Sequence, residues 1–361
     1  MNRELHDGRH DGLMPLESLD LSKVEHFSDL IKAMRKTAFG GRTVGEAFEV
    51  LLEMFRDNDC LVVLTLSGAM TVAKQGMIIC EMIDRGLVQA VISTGALIAH
   101  GVTESIGLTH YAVNPNIDDK NLFEKGYNRV YDTLEMEANL NDVCEVVGRV
   151  LDLVEPEDGD WCSHRFCYAV GKELENMNYG PGILRSAYSK NVPVYIPAFT
   201  DSEIGLDFST WAMKKAIQQN QKQNNNWDPD ELFQAVPNYN PFLDLQHYAR
   251  LIGRAKRLGI LTIGGGVPRN WAQQVAPYYD ITEVRLNVNI NKHPRFQYGV
   301  RICPEPAHWG GLSGCTYSEG VSWGKFMPVE EGGKYAEVLS DATIVLPLLM
   351  KGVFEELDSP K

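Results

Sequence analysis

Leu61-Val-Val-Leu-Thr-Leu-Ser-Gly-Ala-Met70 decides the architecture of this 361-residue chain. Leu61 to Leu66 is an almost unbroken apolar run rich in leucine and β-branched residues, which suits a strand covered on both faces. Ser67-Gly68 ends the run, and Val72, Ile79, Met82 and Ile83 then recur at helical spacing. Strand, small-residue turn and helix in that order open a parallel α/β sheet. Val88 to Ser93, Val192 to Pro197 and Ile260 to Ile263 repeat the buried-strand pattern. Helices are expected over Asn141 to Val154, Arg165 to Met177, a segment ending near Lys190, Asp207 to Gln218, Leu243 to Leu258 and Val267 to Val275. Ile281 to Asn291 and Phe296 to Cys303 read as two strands joined by Lys292-His-Pro-Arg, and Ala342 to Phe354 as a closing helix capped by Asp341. The expected fold is α/β: one doubly wound, mostly parallel, Rossmann-like domain over residues 59–361 with helices on both faces. Residues 1–58 form an N-terminal extension with helices, and its first 25 residues are a polar arm.

Composition narrows the function. Hydrophobic residues make up 44% and charged residues 23%, no apolar run approaches the ~20 residues of a membrane span, and Met1-Asn-Arg-Glu-Leu-His-Asp has no apolar signal stretch. A cytoplasmic protein is expected. A net charge of −14 argues against nucleic acid, and it suits a polycationic small molecule, which an acidic cleft concentrates. Seven scattered cysteines without a Cys-x-x-Cys pair read as reduced, packed thiols. Trp161-Cys-Ser-His164 with Cys167 is the nearest approach to a ligand cluster; packing is the preferred reading and no metal is expected. The Gln/Asn-rich tract from Gln218 to Asn226 reads as an exposed loop.

Ligands of an open α/β sheet bind beyond the carboxyl ends of its strands. Ser67-Gly68, Thr94-Gly95, Asp201 and Gly264-Gly-Gly266 each follow a predicted strand, and small residues there let backbone amides approach a pyrophosphate. A Gly-x-Gly-x-x-Gly fingerprint is absent, and ordinary tight turns account for such glycines equally well. The chemistry-bearing segment is Glu319-Gly-Val-Ser-Trp-Gly-Lys325. An amine held against an aromatic wall with little water is biased toward its neutral, nucleophilic form, whereas the plain alternative is a snorkelling surface lysine beside a core tryptophan.

The Ser-Trp-Gly-Lys run resembles the signature of deoxyhypusine synthases. Leu64-Thr-Leu-Ser-Gly-Ala-Met70, Ser93-Thr-Gly-Ala96, Pro197-Ala-Phe-Thr-Asp201 and Ile263-Gly-Gly-Gly-Val-Pro268 match that family in the same order, so the resemblance covers the chain from about residue 60 onward. It implies NAD-dependent transfer of the aminobutyl group of spermidine through an imine on Lys325. It also implies a water-poor pocket, because water hydrolyses imines, and a homotetramer with active sites at a dimer interface. By resemblance, Ser67, Gly68, Thr71, Thr94, Gly95, Ala96, Asp201, Gly265, Asp341 and Ala342 lie along the cofactor. Glu319 anchors an amine and Trp323 walls the tunnel; Ser313 joins them in the substrate set.

The match breaks at the amine-recognition positions. Asn270 stands where the family has a histidine, Leu206 and Leu312 replace acids, Trp309 replaces a third, and His100 replaces a pocket glutamate. Losing carboxylates weakens recognition of a protonated triamine, although Glu203 and Asp207 flank Leu206. The expectation is therefore a polyamine-using transferase whose acceptor is a free amine, as in homospermidine synthesis. The alternatives are a true deoxyhypusine synthase acting on a lysine of the translation factor 5A precursor, a non-catalytic NAD or polyamine sensor, and a plain NAD-dependent amine dehydrogenase.

Overall fold

Cys60–Leu66 forms β1 in a computed structural model that describes residues 3, 5–114, 116–156, 158–220, 227–311, 313 and 315–359. Leu312 and most of the Gln218 to Asn226 tract fall outside them. The chain adds β2 (Ala90–Ser93), three short strands β3 (Tyr111–Ala112), β4 (Tyr127–Val130) and β5 (Thr133–Met136), then β6 (Val194–Tyr195), β7 (Arg257–Ile263), β8 (Tyr298–Ile302) and β9 (Lys334–Val338). Its helices are α1 (Phe27–Arg35), α2 (Phe39–Arg56), α3 (Gly76–Asp84), α4 (Gly95–Ser105), α5 (Asp119–Glu124), α6 (Glu137–Leu153) and α7 (Ser163–Asn176). They continue with α8 (Ile183–Ser189), α9 (Glu203–Asn220), α10 (Pro229–Leu232), α11 (Pro241–Gly253), α12 (Gly266–Leu286), α13 (Tyr317–Ser322) and α14 (Ala342–Asp358).

The main sheet is wholly parallel in the order β6-β2-β1-β7-β8-β9. The chain winds outward from β1 through β2 to β6, returns to the other side of β1 with β7, and winds outward again. That is the Rossmann-type arrangement, and its switch point lies between β1 and β7. Alternation along β1 sorts its side chains into two cores. Val62, Leu64 and Leu66 join Phe48, Leu51, Ile79 and Leu346 on one side, while Val63 joins Tyr248, Ile252, Ala272 and Val275 on the other. Helices α2 and α14 therefore cover one face and α11 and α12 the opposite one, as a strand apolar on both sides demands.

Three sequence expectations need correction. Ile281 to Asn291 is not a strand: α12 runs through Pro277 to Leu286 and stops at Asn287 in the left-handed region (φ 52°). Its β-branched residues mimic a strand, yet Val284 is 82% exposed and Leu286 66%. The second expected strand, as β8, pairs in parallel with β7 and β9, so no Lys292 hairpin forms. Leu243 to Leu258 is helical only to Gly253, because Arg257 and Leu258 already pair with Cys60 and Leu61 in β1. β9 and the antiparallel β3-β5-β4 sheet have no strong apolar alternation and were not expected.

Candidate active site

One hydroxyl fastens the carboxyl ends of β1 and β7. Ser67 Oγ donates to the Ile263 carbonyl at 3.2 Å and accepts from Gly265 N–H at 2.8 Å. A Cβ on Gly265 would lie 2.9 Å from Ser313 Cβ, so only glycine fits beneath that segment. Gly68 is exposed beside it with φ 74°. At the end of β2, Thr94 precedes α4 without capping it, and its Oγ1 is buried with no hydrogen-bond partner. A buried orphan hydroxyl costs ~1–3 kcal/mol, which a ligand acceptor at this edge would recover. Gly95 touches the next turn: a Cβ there would lie 2.2 Å from Ser202 Oγ. Ala96 is half-buried and Asp201 is exposed.

Two expected cofactor residues are engaged internally. Thr71 is fully buried and its Oγ1 donates to the Leu97 carbonyl at 2.9 Å. Asp341 caps α14, accepting from Thr343 N–H at 2.8 Å and Thr343 Oγ1 at 2.9 Å, while Ala342 is buried behind it. What this leaves at the carboxyl ends of β1 and β2 is, among the described residues, the exposed backbone of Gly68 and the unpartnered Thr94 hydroxyl.

Lys325 lies on the α12 face of the sheet. Thr316 Oγ1 accepts from Glu319 N–H to start α13, and the chain leaves that helix through Gly324 (φ 70°). Phe296 N–H then donates to the Lys325 carbonyl at 3.0 Å, fixing the lysine beside the segment that leads into β8. Its side chain is buried; Nζ donates to Asn270 Oδ1 at 3.1 Å and sits 5.9 Å from the centre of the Trp323 ring. Burial is the main cause that lowers the lysine pKa from its ordinary value. Arg269 pushes the same way, and Cys315 and Glu319 push back. The arrangement favours a neutral amine at a protein–solvent boundary, which is what nucleophilic attack on an imine or carbonyl carbon needs. Glu319 and Trp323 are exposed beside it; Leu206 on α9 and Trp309 are exposed too, but enter none of the described contacts of the lysine.

Sequence reading missed the strap that joins the two regions. Arg269 on α12 donates to the Ser313 and Cys315 carbonyls at 3.3 and 2.6 Å. Arg301 on β8, only 1% exposed, donates to the Ser313 carbonyl at 2.6 Å and to Glu337 at 2.7 Å, and Glu337 also accepts from Tyr317 N–H at 3.0 Å. Ser313 and Cys315 thus rest their carbonyls on two buried arginines between the glycine turn and the lysine helix. His100 enters none of the described contacts of Lys325; it lies under α4 in a cluster with Glu135 and His110. In the Trp161 to Cys167 segment, Asp244 accepts from the N–H groups of Ser163 and His164 at the start of α7 and from His164 Nδ1, and burial pushes the Cys162 thiol up to about 12.

Known proteins resemble this chain. The deoxyhypusine synthase family model matches residues 29–353. A Methanosarcina acetivorans protein named "Probable deoxyhypusine synthase 2" is 33% identical over 331 residues, covering 91% of this chain and 87% of the relative. An Archaeoglobus fulgidus protein of the same name is 31% identical over 320 residues, covering 89% and 95%. A Chlorobaculum tepidum protein named "Deoxyhypusine synthase-like protein" is 27% identical, covering 93% and 88%. Among solved structures, an Entamoeba histolytica protein assigned as a deoxyhypusine synthase shares the fold with a TM-score of 0.55 at 13% identity, covering 94% of this chain and 97% of that one. With the family match spanning nine-tenths of its length and a relative 33% identical over 91% of it, this chain belongs to the deoxyhypusine synthase family.

Proposed function

We propose that the chain is a cytoplasmic transferase that moves the aminobutyl group of a polyamine such as spermidine to a free amine, by way of an imine on Lys325. The observation that carries this reading is Lys325 itself: a buried lysine, lowered in pKa by burial, hydrogen-bonded to a neutral amide and faced by Trp323. Trp323 offers its ring to a substrate ammonium, and Glu319 offers a carboxylate for a second one. No helix among the described residues is long and apolar enough to cross a membrane.

NAD fits the switch point. Gly68 is exposed with open space where a side chain would stand, Gly95 and Gly265 bring the turns after β2 and β7 close against Ser202 and Ser313, Thr94 Oγ1 lacks a partner, and the exposed Asp201 can meet a ribose. When bound, the cofactor would accept a hydride from the amine carbon and return it. Gly95→Ala is expected to raise the NAD dissociation constant at least ~10-fold, about 1.4 kcal/mol, because the new methyl displaces the Ser202 turn. Adding Ser202→Gly removes the clash and should restore binding by titration; an unmoved affinity in Gly95→Ala would detach this turn from the cofactor.

The exposed Trp309, Trp323 and Leu206 side chains suit a homotetramer whose sites are completed at a dimer interface. A second reading, transfer to a lysine of the translation factor 5A precursor, is favoured by the names of the archaeal relatives. Incubation with NAD and spermidine, with and without putrescine, separates the readings by amine chromatography. Diaminopropane with homospermidine is the expected result. Diaminopropane only when the precursor protein is supplied would favour the second reading, and unchanged amines throughout would sink both.

A further inference from the structure

A parallel bridge between Trp161 and Tyr239 brings the starts of two helices together beside β6, the outer strand of the main sheet. Trp161 N–H donates to the Asn238 carbonyl at 3.0 Å, and Asn240 N–H donates to the Trp161 carbonyl at 2.7 Å. Cys162, the residue before α7, therefore faces the first turn of α11, which carries Asp244. Three side chains converge there. Cys162 Sγ lies 3.2 Å from His164 Nδ1, and the same nitrogen lies 2.8 Å from Asp244 Oδ1. The sulfur, the imidazole nitrogen and a carboxylate oxygen all fall within 4.8 Å of one another, and Cys167 is not among them.

Hydrogen bonds serve this arrangement incompletely. A ring nitrogen carries either one hydrogen or one lone pair. With a hydrogen, Nδ1 faces both the sulfur and the carboxylate and can be aimed at only one of them. With a lone pair, it faces a carboxylate lone pair at 2.8 Å. A cation in place of that hydrogen satisfies all three atoms at once, whichever state the metal-free ring adopts.

The surroundings hold the three groups in place. Asp244 Oδ2 accepts from Ser163 N–H and Ser163 Oγ, both at 2.9 Å, and Oδ1 accepts from His164 N–H at 2.9 Å. Ser163 Oγ in turn accepts from Ile196 N–H at 2.8 Å, just past β6. These donors fix the plane of the carboxylate and leave Oδ1 a lone pair for the His164 side, which is how outer-shell donors orient a metal carboxylate. The His164 ring is stacked on His247, with centroids 4.2 Å apart and planes at 12°, and His247 Nδ1 is 2.7 Å from the Tyr195 hydroxyl.

We propose that Cys162 Sγ, His164 Nδ1 and Asp244 Oδ1 bind a divalent cation of the zinc class. Thiolate, imidazole and carboxylate are the ligand types zinc takes together. On binding, the S–H bond breaks, its proton leaves to solvent and the electron pair stays on sulfur for the metal. Thiolate and carboxylate then bring two negative charges, which the cation neutralises. Zinc bonds of ~2.0–2.3 Å at tetrahedral angles set ligand atoms ~3.3–3.6 Å apart, so the His164 ring withdraws by about half an ångström. Three protein ligands leave a fourth position. His164 and Trp161 also line a cavity of about 550 Å³ walled by Tyr168, Asn191 and Pro193, from which a water or small anion completes the shell. That cavity meets the chain ahead of β6, whereas Asp201 follows the strand, so the metal centre is separate from the lysine site.

Full-length protein stripped with a chelator and reloaded with Zn²⁺ should retain one zinc ion per chain through gel filtration. Its Co²⁺ form should show thiolate-to-cobalt charge-transfer absorption, which reports a sulfur ligand without any substitution. Cys162→Ser should lose that absorption and weaken Zn²⁺ binding at least ~100-fold, beyond the roughly 10–100-fold that outer-shell changes cost. Cys80→Ser, at a buried thiol elsewhere, should keep both. Zinc should also raise the Tm of wild type and leave that of Cys162→Ser unmoved, so the site is read from the zinc-induced shift even if the variant is less stable without metal. Wild type that retains no zinc, a cobalt form without the sulfur absorption, or zinc held equally tightly by Cys162→Ser would each overturn the proposal, and none of them bears on transfer through Lys325.

Discussion

Lys325→Arg is expected to lower aminobutyl transfer by more than about a thousandfold while leaving the fold unchanged. Arginine can keep the contact with Asn270 and the approach to Trp323, but its guanidinium is never neutral at working pH. It therefore cannot attack the substrate imine, and only uncatalysed exchange remains. Burial lowers the lysine pKa, so the neutral fraction of wild-type Lys325 grows with rising pH and does so at lower pH than for an ordinary lysine near ~10.4. Transfer should rise with pH in that window and then level. Linkage has the same sign. Between the lowered folded pKa and the ordinary unfolded one, the unfolded chain binds more protons, so the cost of burying this amine is full at lower pH and fades as pH rises. Borohydride should trap a substrate adduct on Lys325 in wild type and none in the arginine variant. Transfer within tenfold of wild type in Lys325→Arg would remove the covalent path.

How legible these features were follows from their sequence separation. β1 could be read because a strand covered on both faces is a contiguous apolar run, and Ser67-Gly68, Thr94-Gly95 and Gly264 to Gly266 could be placed because each directly follows such a run. The errors fall where local pattern and tertiary context disagree. Ile281, Val284 and Leu286 have strand-like side chains, yet they continue α12 and face solvent in this chain. Leu258 extends an amphipathic helical pattern, but pairing with Leu61 claims it for β7. The polar cluster beneath α4 joins His100 to Glu135, 35 residues apart, and the strap joins Arg301 to Glu337 across neighbouring strands. Neither leaves any local pattern. His100 could be singled out by its sequence position, whereas its partners required the fold.

The strap makes stability and the lysine site depend on one another. Glu337→Ala is expected to destabilise the chain by about 3 kcal/mol, within the range for losing the partner of a buried charge. Arg301 and Glu337 face one another across β8 and β9, and Arg301 has almost no access to water. Alanine would leave the guanidinium with only the Ser313 and Cys315 carbonyls, and would also strip the acceptor from Tyr317 N–H at the start of α13. Chemical denaturation measures the loss, and a change below about 0.5 kcal/mol, the usual surface range, would show that water replaces the carboxylate. Removing both charges separates an unpaired buried arginine from a simple packing defect: Arg301→Met with Glu337→Leu should be more stable than Glu337→Ala alone. The same carboxylate anchors the helix that carries Glu319 and leads to Lys325. Glu337→Ala should therefore lose transfer activity at temperatures where its sheet is still folded, because the Ser313 and Cys315 carbonyls are then held by Arg269 and an arginine without its counter-ion.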